Sequence, residues 1–273
     1  MTQPVDATPP VALTIAGSDS GGGAGLQADL KTFSALGVFG TCAVTAVTAQ
    51  NTREVCGVLP VPAAFVVAQI EAVLDDLDVR AVKTGMLGTQ EVVEAVARLA
   101  AQGRLPHLVV DPVMVASSGA RLLEQRAELA YVELLLPHAA VLTPNLLEAE
   151  ALLGSTIGTL AEQREAARAL GALGPRAVVV KGGHRVDGTD LEAVDVLWDG
   201  ARVSELRAPR LATANTHGTG CTLAAAIAAG LAGGQDVHDA VRAAKAYVGR
   251  ALAGGAGWRL GAGHGPLDHF AAR

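Results

Sequence analysis

The chain has 273 residues, half of them hydrophobic and 3% aromatic, with a net charge of −6. That length holds one large α/β domain or two small ones, with a core built from Ala, Val and Leu. The acidic balance and the lack of a Lys/Arg run exclude a nucleic-acid surface, and no apolar run reaches the roughly 18–20 residues of a membrane span.

In chain order, residues 1–10 are polar and Pro-rich and read as a loose arm, not a signal peptide. Residues 11–16 form an apolar strand ended by a glycine-rich loop at 17–25. A helix follows, with Leu26, Leu30, Phe33 and Leu36 on one face and Gly37 ending it. Residues 41–49 read as a strand, 62–77 as a helix, 79–83 as a strand and 89–102 as a helix. Strands are expected at 107–111 and 140–143, each stopped by a proline, with a helix at 125–136 between them. Helices at 145–153 and 160–173 precede a strand at 177–181. Residues 193–198 and 202–206 flank Asp199-Gly200, a hairpin signal. Helices at 221–231 and 237–252 close the chain.

Alternating helices and continuous apolar strands indicate a mostly parallel sheet covered on both faces. No linker, composition break or internal repeat divides the chain, so one domain over 11–273 is expected. In such sheets ligands gather at the carboxyl ends of the strands. Six segments fall there: 17–25, Gln50-Asn51, 83–86, 111–113, 143–145 and 181–184. Three cysteines, Cys42, Cys56 and Cys221, show no CxxC spacing, which points to reduced thiols and a cytoplasmic setting.

Residues 215–222 (NTHGTGCT) lead a glycine turn straight into a small-residue helix. Unpaired amides at a helix start attract anions, and glycine lets the backbone approach a phosphate. The alternative is a glycine turn that only caps a buried helix. Cys221 is either a small core residue or a thiol whose pKa the helix start lowers, fit to take a proton from a hydroxyl attacking a γ-phosphate. His217 is a rival base or a cap. The loop at 17–25 fails the dinucleotide fingerprint, because no acid stands at the second strand end, and it reads better as a cradle for a small polar substrate. Asp29 falls within an apolar stripe, so it either pairs with a donor or faces the rim. Asn145 and Glu148 form either a capping box or a pair ordering Mg²⁺ and its waters. Asp111 is a second metal-oxygen candidate. Lys181 either neutralises phosphate or snorkels.

Seven blocks carry a family resemblance: 16–31 (AGSDSGGGAGLQADLK), 49–52 (AQNT), 83–87 (KTGML), 111–114 (DPVM), 143–150 (TPNLLEAE), 180–184 (VKGGH) and 216–222 (THGTGCT). Together with a tail at 263–270 (GHGPLDHF), the chain resembles the hydroxymethylpyrimidine/phosphomethylpyrimidine kinases of thiamine biosynthesis, over about residues 11–270. Ser20-Gly21 departs from the Pro-Ser of many members, within a turn. The resemblance implies a three-layer ribokinase-like α/β fold, ATP and Mg²⁺. It also implies two successive phosphorylations of a small-molecule pyrimidine, with no nucleic acid, no membrane and a homodimeric state. It implies that Gln50, Ala24, Asp29, Met86 and Val113 bind substrate. Asn145, Lys181, Thr216, Gly218 and Gly220 would serve ATP, and Glu148 and Asp111 the metal. Catalysis would fall to Cys221 and Lys181 with an anion hole at Gly218, Thr219 and Gly220. Some relatives with the same cysteine phosphorylate pyridoxal, so pyridoxal or pyridoxine remains an alternative substrate. A non-catalytic pyrimidine sensor is the third reading, weakened by the intact set of Lys181, Asn145, Glu148 and Cys221. A lid is expected at 185–191 by position.

Overall fold

A computed structural model of the chain describes residues 8–114, 127–183 and 191–271. In order, its elements are β1 (Val11–Ser18), α1 (Gly25–Ala35), β2 (Phe39–Gln50), β3 (Val55–Pro60), α2 (Ala63–Leu74), β4 (Val79–Thr84), α3 (Gln90–Ala101) and β5 (Val109–Val110). There follow α4 (Ala127–Ala130), which runs into a wider π turn and a 3-10 turn, then β6 (Val141–Leu142), α5 (Leu146–Leu153), α6 (Leu160–Gly171) and β7 (Val178–Val180). The hairpin strands β8 (Glu192–Trp198) and β9 (Val203–Pro209) and the helices α7 (Thr219–Ala232) and α8 (Val237–Gly255) complete the described residues. The strands form one sheet in the order β3-β2-β1-β4-β5-β6-β7-β8-β9. Pairing is parallel from β2 to β7 and antiparallel at the two edges, β2–β3 and β7–β8–β9.

The two-residue period of β1 decides which layer each side chain joins. Leu13 and Ile15 pack with Val66 and Ile70 of α2 and Val93 and Val96 of α3. Ala12 faces the other layer with Phe33 of α1 and the helices α7 and α8. That second face is lined with small residues: Ala12, Ala81, Ala140 and Ala177 share a cluster with Ala224, Ala225 and Ala228 of α7. Methyl against methyl brings α7 close onto β1, β4 and β5. Each buried CH₂ contributes about 0.8 kcal/mol, so these many small contacts add to the larger buried side chains Phe33, Ile227 and Tyr247 of the same layer. The start of α7 is thereby brought to the carboxyl rim of the sheet.

The expected alternation and hairpin are observed, with Gly200 turning at φ +94° between β8 and β9. β3 was not expected. It is an edge strand ending in Pro60, where a missing N–H costs no ladder bond. The strand expected at 107–111 begins later, because His107 adopts φ +43° and turns the chain. Pro112 and Pro144 hold β5 and β6 to two residues each. Of the helix expected at 125–136, the first two residues lie outside the described set and the rest widens into the π turn. Most of the N-terminal arm (1–7), His184 and all of the expected lid except Leu191 also lie outside the described residues.

Candidate active site

The start of α7 supplies the most distinctive geometry. Gly218, its N-cap, sits at φ +87°, and a Cβ there would lie 1.9 Å from the Gly23 carbonyl oxygen. Only glycine meets both demands. The Thr216 carbonyl accepts bonds from the Thr219 amide (3.2 Å) and hydroxyl (2.7 Å), which fixes the turn and corrects the expected anion hole by taking the Thr219 amide out of it. The amides of Gly218, Gly220 and Cys221 have no hydrogen-bond partner among the described residues. Three donors at the positive end of a helix can hold an anion.

Lys181, just past β7, reaches this turn. A Cβ on Gly220 would lie 3.1 Å from Lys181 Nζ and 3.9 Å from Asp111 Oδ2. Lys181 Nζ donates to Asp111 Oδ1 at 2.9 Å and lies 3.7 Å from Glu148 Oε2. Asn145 and Glu148 form the reciprocal capping box of α5, at 2.7 and 2.9 Å. The capping reading is therefore what the structure displays, and it aims the Glu148 carboxylate at Lys181. Burial raises the Glu148 pKa to about 7, with Lys181 opposing and Asp111 reinforcing the rise. Thr143 Oγ1 donates to Asp111 Oδ1 at 3.3 Å. Asp111 Oδ2 and Glu148 Oε1 accept no hydrogen bond from the described residues. Among those residues no group of three or more His, Cys, Asp or Glu could hold a metal ion. Two spare carboxylate oxygens suit a cation that keeps most of its water, as Mg²⁺ does.

The other side of the rim carries the glycine-rich loop after β1. Gln50 is tied to it through its backbone: Ser20 Oγ donates to the Gln50 carbonyl (2.7 Å), and the Gln50 amide donates to Ser20 Oγ (2.8 Å). Thr48 donates to Gln50 Oε1 at 3.2 Å, and Gln50 Nε2 has no partner among the described residues. Met86 Sδ would lie 3.0 Å from a Cβ on Gly17. Ala24 and Val113 are half-buried beside this loop and beside Asp111 respectively.

Asp29 requires a correction. It has no exposed surface and is sealed beneath the rim, accepting from Lys83 Nζ (2.8 Å) and Thr14 Oγ1 (2.6 Å). It braces Lys83 rather than facing ligand. Burial works against charge on both groups; the contact with Asp29 prevails at Lys83 and holds it protonated, above the ordinary lysine range. Cys221 is also corrected. Burial pushes its thiol up to about 11, and the nearby Asp111 and Asp29 push further, while Lys83 and the Gly25 amide pull down. The depressed pKa expected at a helix start is outweighed by this desolvation and by two carboxylates.

Sequence reasoning placed 83–86 on the rim but missed the Lys83–Asp29 pair. A lysine closing an apolar strand before glycine was the available signal, since Lys181 shows the same pattern. It also missed Asp19, which is buried and contacts His217 at 2.8 Å. The tail at 263–270 turns out to brace the α7 turn. The His217 amide donates to the Gly265 carbonyl (3.0 Å), and Thr222 Oγ1 meets His269 Nε2 at 3.0 Å. Burial lowers the His269 pKa to about 4, so the imidazole is neutral at pH 7.

An amide-lined helix start, one half-open lysine and two spare carboxylate oxygens on the rim of this sheet define a phosphoryl-transfer enzyme of the ribokinase-like type. Comparison with known proteins narrows the class. The chain belongs to the phosphomethylpyrimidine kinase family, whose family model matches residues 19–268. It is 53% identical over 262 residues to the hydroxymethylpyrimidine/phosphomethylpyrimidine kinase of Rhizobium meliloti, covering 95% of this chain and 97% of that one. Among solved structures, an ADP complex of Bacillus subtilis pyridoxal kinase matches with a TM-score of 0.89 at 39% identity, over 97% of this chain and 99% of that one. Phosphomethylpyrimidine kinase of Clostridium difficile matches with a TM-score of 0.78 at 40% identity, over 89% and 99%.

Proposed function

We propose that the chain transfers the γ-phosphoryl of ATP to 4-amino-5-hydroxymethyl-2-methylpyrimidine, and then phosphorylates the resulting monophosphate to the diphosphate. The observation that carries this reading is the set of amides at Gly218, Gly220 and Cys221, without partners among the described residues, in a turn whose Gly220 lies against Lys181, on the rim that also bears Gln50. Family membership and the Rhizobium meliloti relative support the choice of substrate.

In the first step the hydroxymethyl oxygen bonds to the γ-phosphorus, the bond from that phosphorus to the β–γ bridging oxygen breaks, and ADP leaves. In the second, a phosphate oxygen of the monophosphate is the nucleophile. The amides of Gly218, Gly220 and Cys221 hold the transferring group, and Lys181 balances its charge. Thr216 and Asn145 flank the nucleotide. Asp111 and Glu148 would hold Mg²⁺, which supplies charge neutralisation on the phosphates when bound. Gln50 meets the pyrimidine edge with its free amide, and Ala24, Met86 and Val113 pack around the ring. Cys221 Sγ accepts the hydroxyl proton as a thiolate, a minor species for a thiol near 11. One catalytic domain over residues 11–273, working as a homodimer in the cytoplasm, completes the proposal. It is supported by the exposed apolar side chains Leu59 and Phe65 and by three free cysteines.

A second reading, pyridoxal phosphorylation at the same site, is favoured by the likeness to the Bacillus subtilis pyridoxal kinase. Incubation with ATP, Mg²⁺ and each alcohol, followed by mass spectrometry, separates the two. The expected products are the pyrimidine monophosphate and then the diphosphate. Pyridoxal phosphate alone would transfer the assignment to the second reading, and no phosphorylated product would remove both.

A further inference from the structure

Two glycine turns, nearly two hundred residues apart in the chain, interlock at this site through one side-chain contact. Asp19, in the loop after β1, is 3% exposed and uses both carboxylate oxygens. Its Oδ1 accepts the Gly21 amide at 2.8 Å. Its Oδ2 accepts the amides of Gly23 (3.1 Å) and Ala24 (2.9 Å) and lies 2.8 Å from His217 Nε2. The carboxylate therefore gathers the substrate-side loop and ties it to the residue just before the α7 turn. Burial alone would raise the Asp19 pKa, but the bonds from His217, Ala24 and Gly21 hold it below its ordinary value.

The fit around this contact is tight. A Cβ on Gly23 would lie 2.4 Å from His217 Cδ2. The Gly23 carbonyl sits where a Cβ on Gly218 would be. On its far side His217 is fixed by its own amide on Gly265. The loop that opens α1 and the turn that opens α7 thus meet at Gly23 and Gly218, where the Asp19–His217 contact ties them, while Phe33 of α1 packs in the apolar cluster that holds α7 further along.

We propose that Asp19 and His217 are a positioning pair that fixes the phosphate-holding amides of Gly218, Gly220 and Cys221 relative to the substrate-side loop. Neither side chain touches a reacting atom. Their role is to keep the acceptor hydroxyl and the transferring phosphorus in line, so the pair acts on kcat more than on the affinity for either substrate. This rests on the reading of the α7 turn as the phosphoryl site, and the test separates the two.

Three variants of the full chain suffice: His217→Ala, His217→Gln and Gly220→Ala. Turnover is measured with ATP and hydroxymethylpyrimidine, ATP affinity by calorimetry and Tm by thermal melting. His217→Ala is expected to lower kcat by about 10–100-fold, the scale of an ångström-level misplacement, while ATP affinity stays near wild type. His217→Gln, whose amide nitrogen can still reach Asp19, is expected to recover most of kcat. Should His217→Ala fail to fold, His217→Asn, which fills the space but stops short of Asp19, carries the same expectation. Wild-type kcat in the Ala or Asn variant, or a Gln variant no better than Ala, overturns the pair. Loss of turnover in Gly220→Ala alone condemns only the positioning pair. Wild-type turnover in Gly220→Ala removes the phosphoryl site and the pair with it.

Discussion

Lys83 and Lys181 stand at the ends of two parallel strands on one rim, each bonded to an aspartate, at 2.8 and 2.9 Å. Their surroundings differ. Lys83 is wholly enclosed with Asp29 and has no route to a ligand. The Lys181 side chain is 14% exposed, shares a second carboxylate and fronts Gly220. The same residue type at equivalent topological positions therefore performs two tasks. One lysine underpins the site with a sealed charge; the other is left able to meet a phosphate. Access, rather than pairing, distinguishes a structural lysine from a functional one here.

The largest effect expected is on stability. Lys83→Met leaves Asp29 buried without its counter-ion and should cost about 3–5 kcal/mol in urea unfolding, much of it recovered when Asp29→Leu is added. A single variant as stable as wild type would erase the distinction between the lysines. Lys181→Met should instead act mainly on turnover, lowering kcat by about 10²–10³-fold, with a smaller loss of stability than Lys83→Met because Asp111 keeps its Thr143 bond and the Lys181 side chain is partly open to water. A loss of stability matching that of Lys83→Met would show that Lys181 is structural too.

Cys221 lies between the two pairs and sharpens the comparison through pH. Its thiol, raised to about 11, is neutral at pH 7, and the basic form grows as pH rises. If that form takes the proton, kcat/KM should climb by up to about tenfold per pH unit from pH 7 to 9, and Cys221→Ala should be slow and flat. A flat wild-type profile would exclude a base of that pKa. The smallest effect is expected at Arg207, which meets Glu192 and Glu205 in the open at 2.7 Å each. Exposed pairs contribute little, so Arg207→Ala should leave the urea midpoint unchanged.

Much of this was legible in the sequence because it depends on local chemistry. Alternating apolar segments gave the parallel sheet, Asp199-Gly200 marked the hairpin, and strand-ending polar residues marked the rim. The Asn145–Glu148 spacing already contained the capping box. What was not legible depends on contacts made at long range. Asp29 looked ambiguous because its partner is 54 residues away, and Asp19 looked like a loop residue because His217 is 198 residues away. The Cys221 pKa was misjudged for the same reason: a helix start is visible in sequence, whereas burial among Asp29 and Asp111 is not. The edge strand β3 was missed because a short exposed segment carries no strong apolar alternation.

The most direct test of the central claim is a crystal structure of the protein with a non-hydrolysable ATP analogue and Mg²⁺. The account predicts γ-phosphate oxygens at hydrogen-bond distance, about 3 Å, from the amides of Gly218, Gly220 and Cys221, with Lys181 against the same group. A nucleotide whose terminal phosphate lies away from that turn would contradict it.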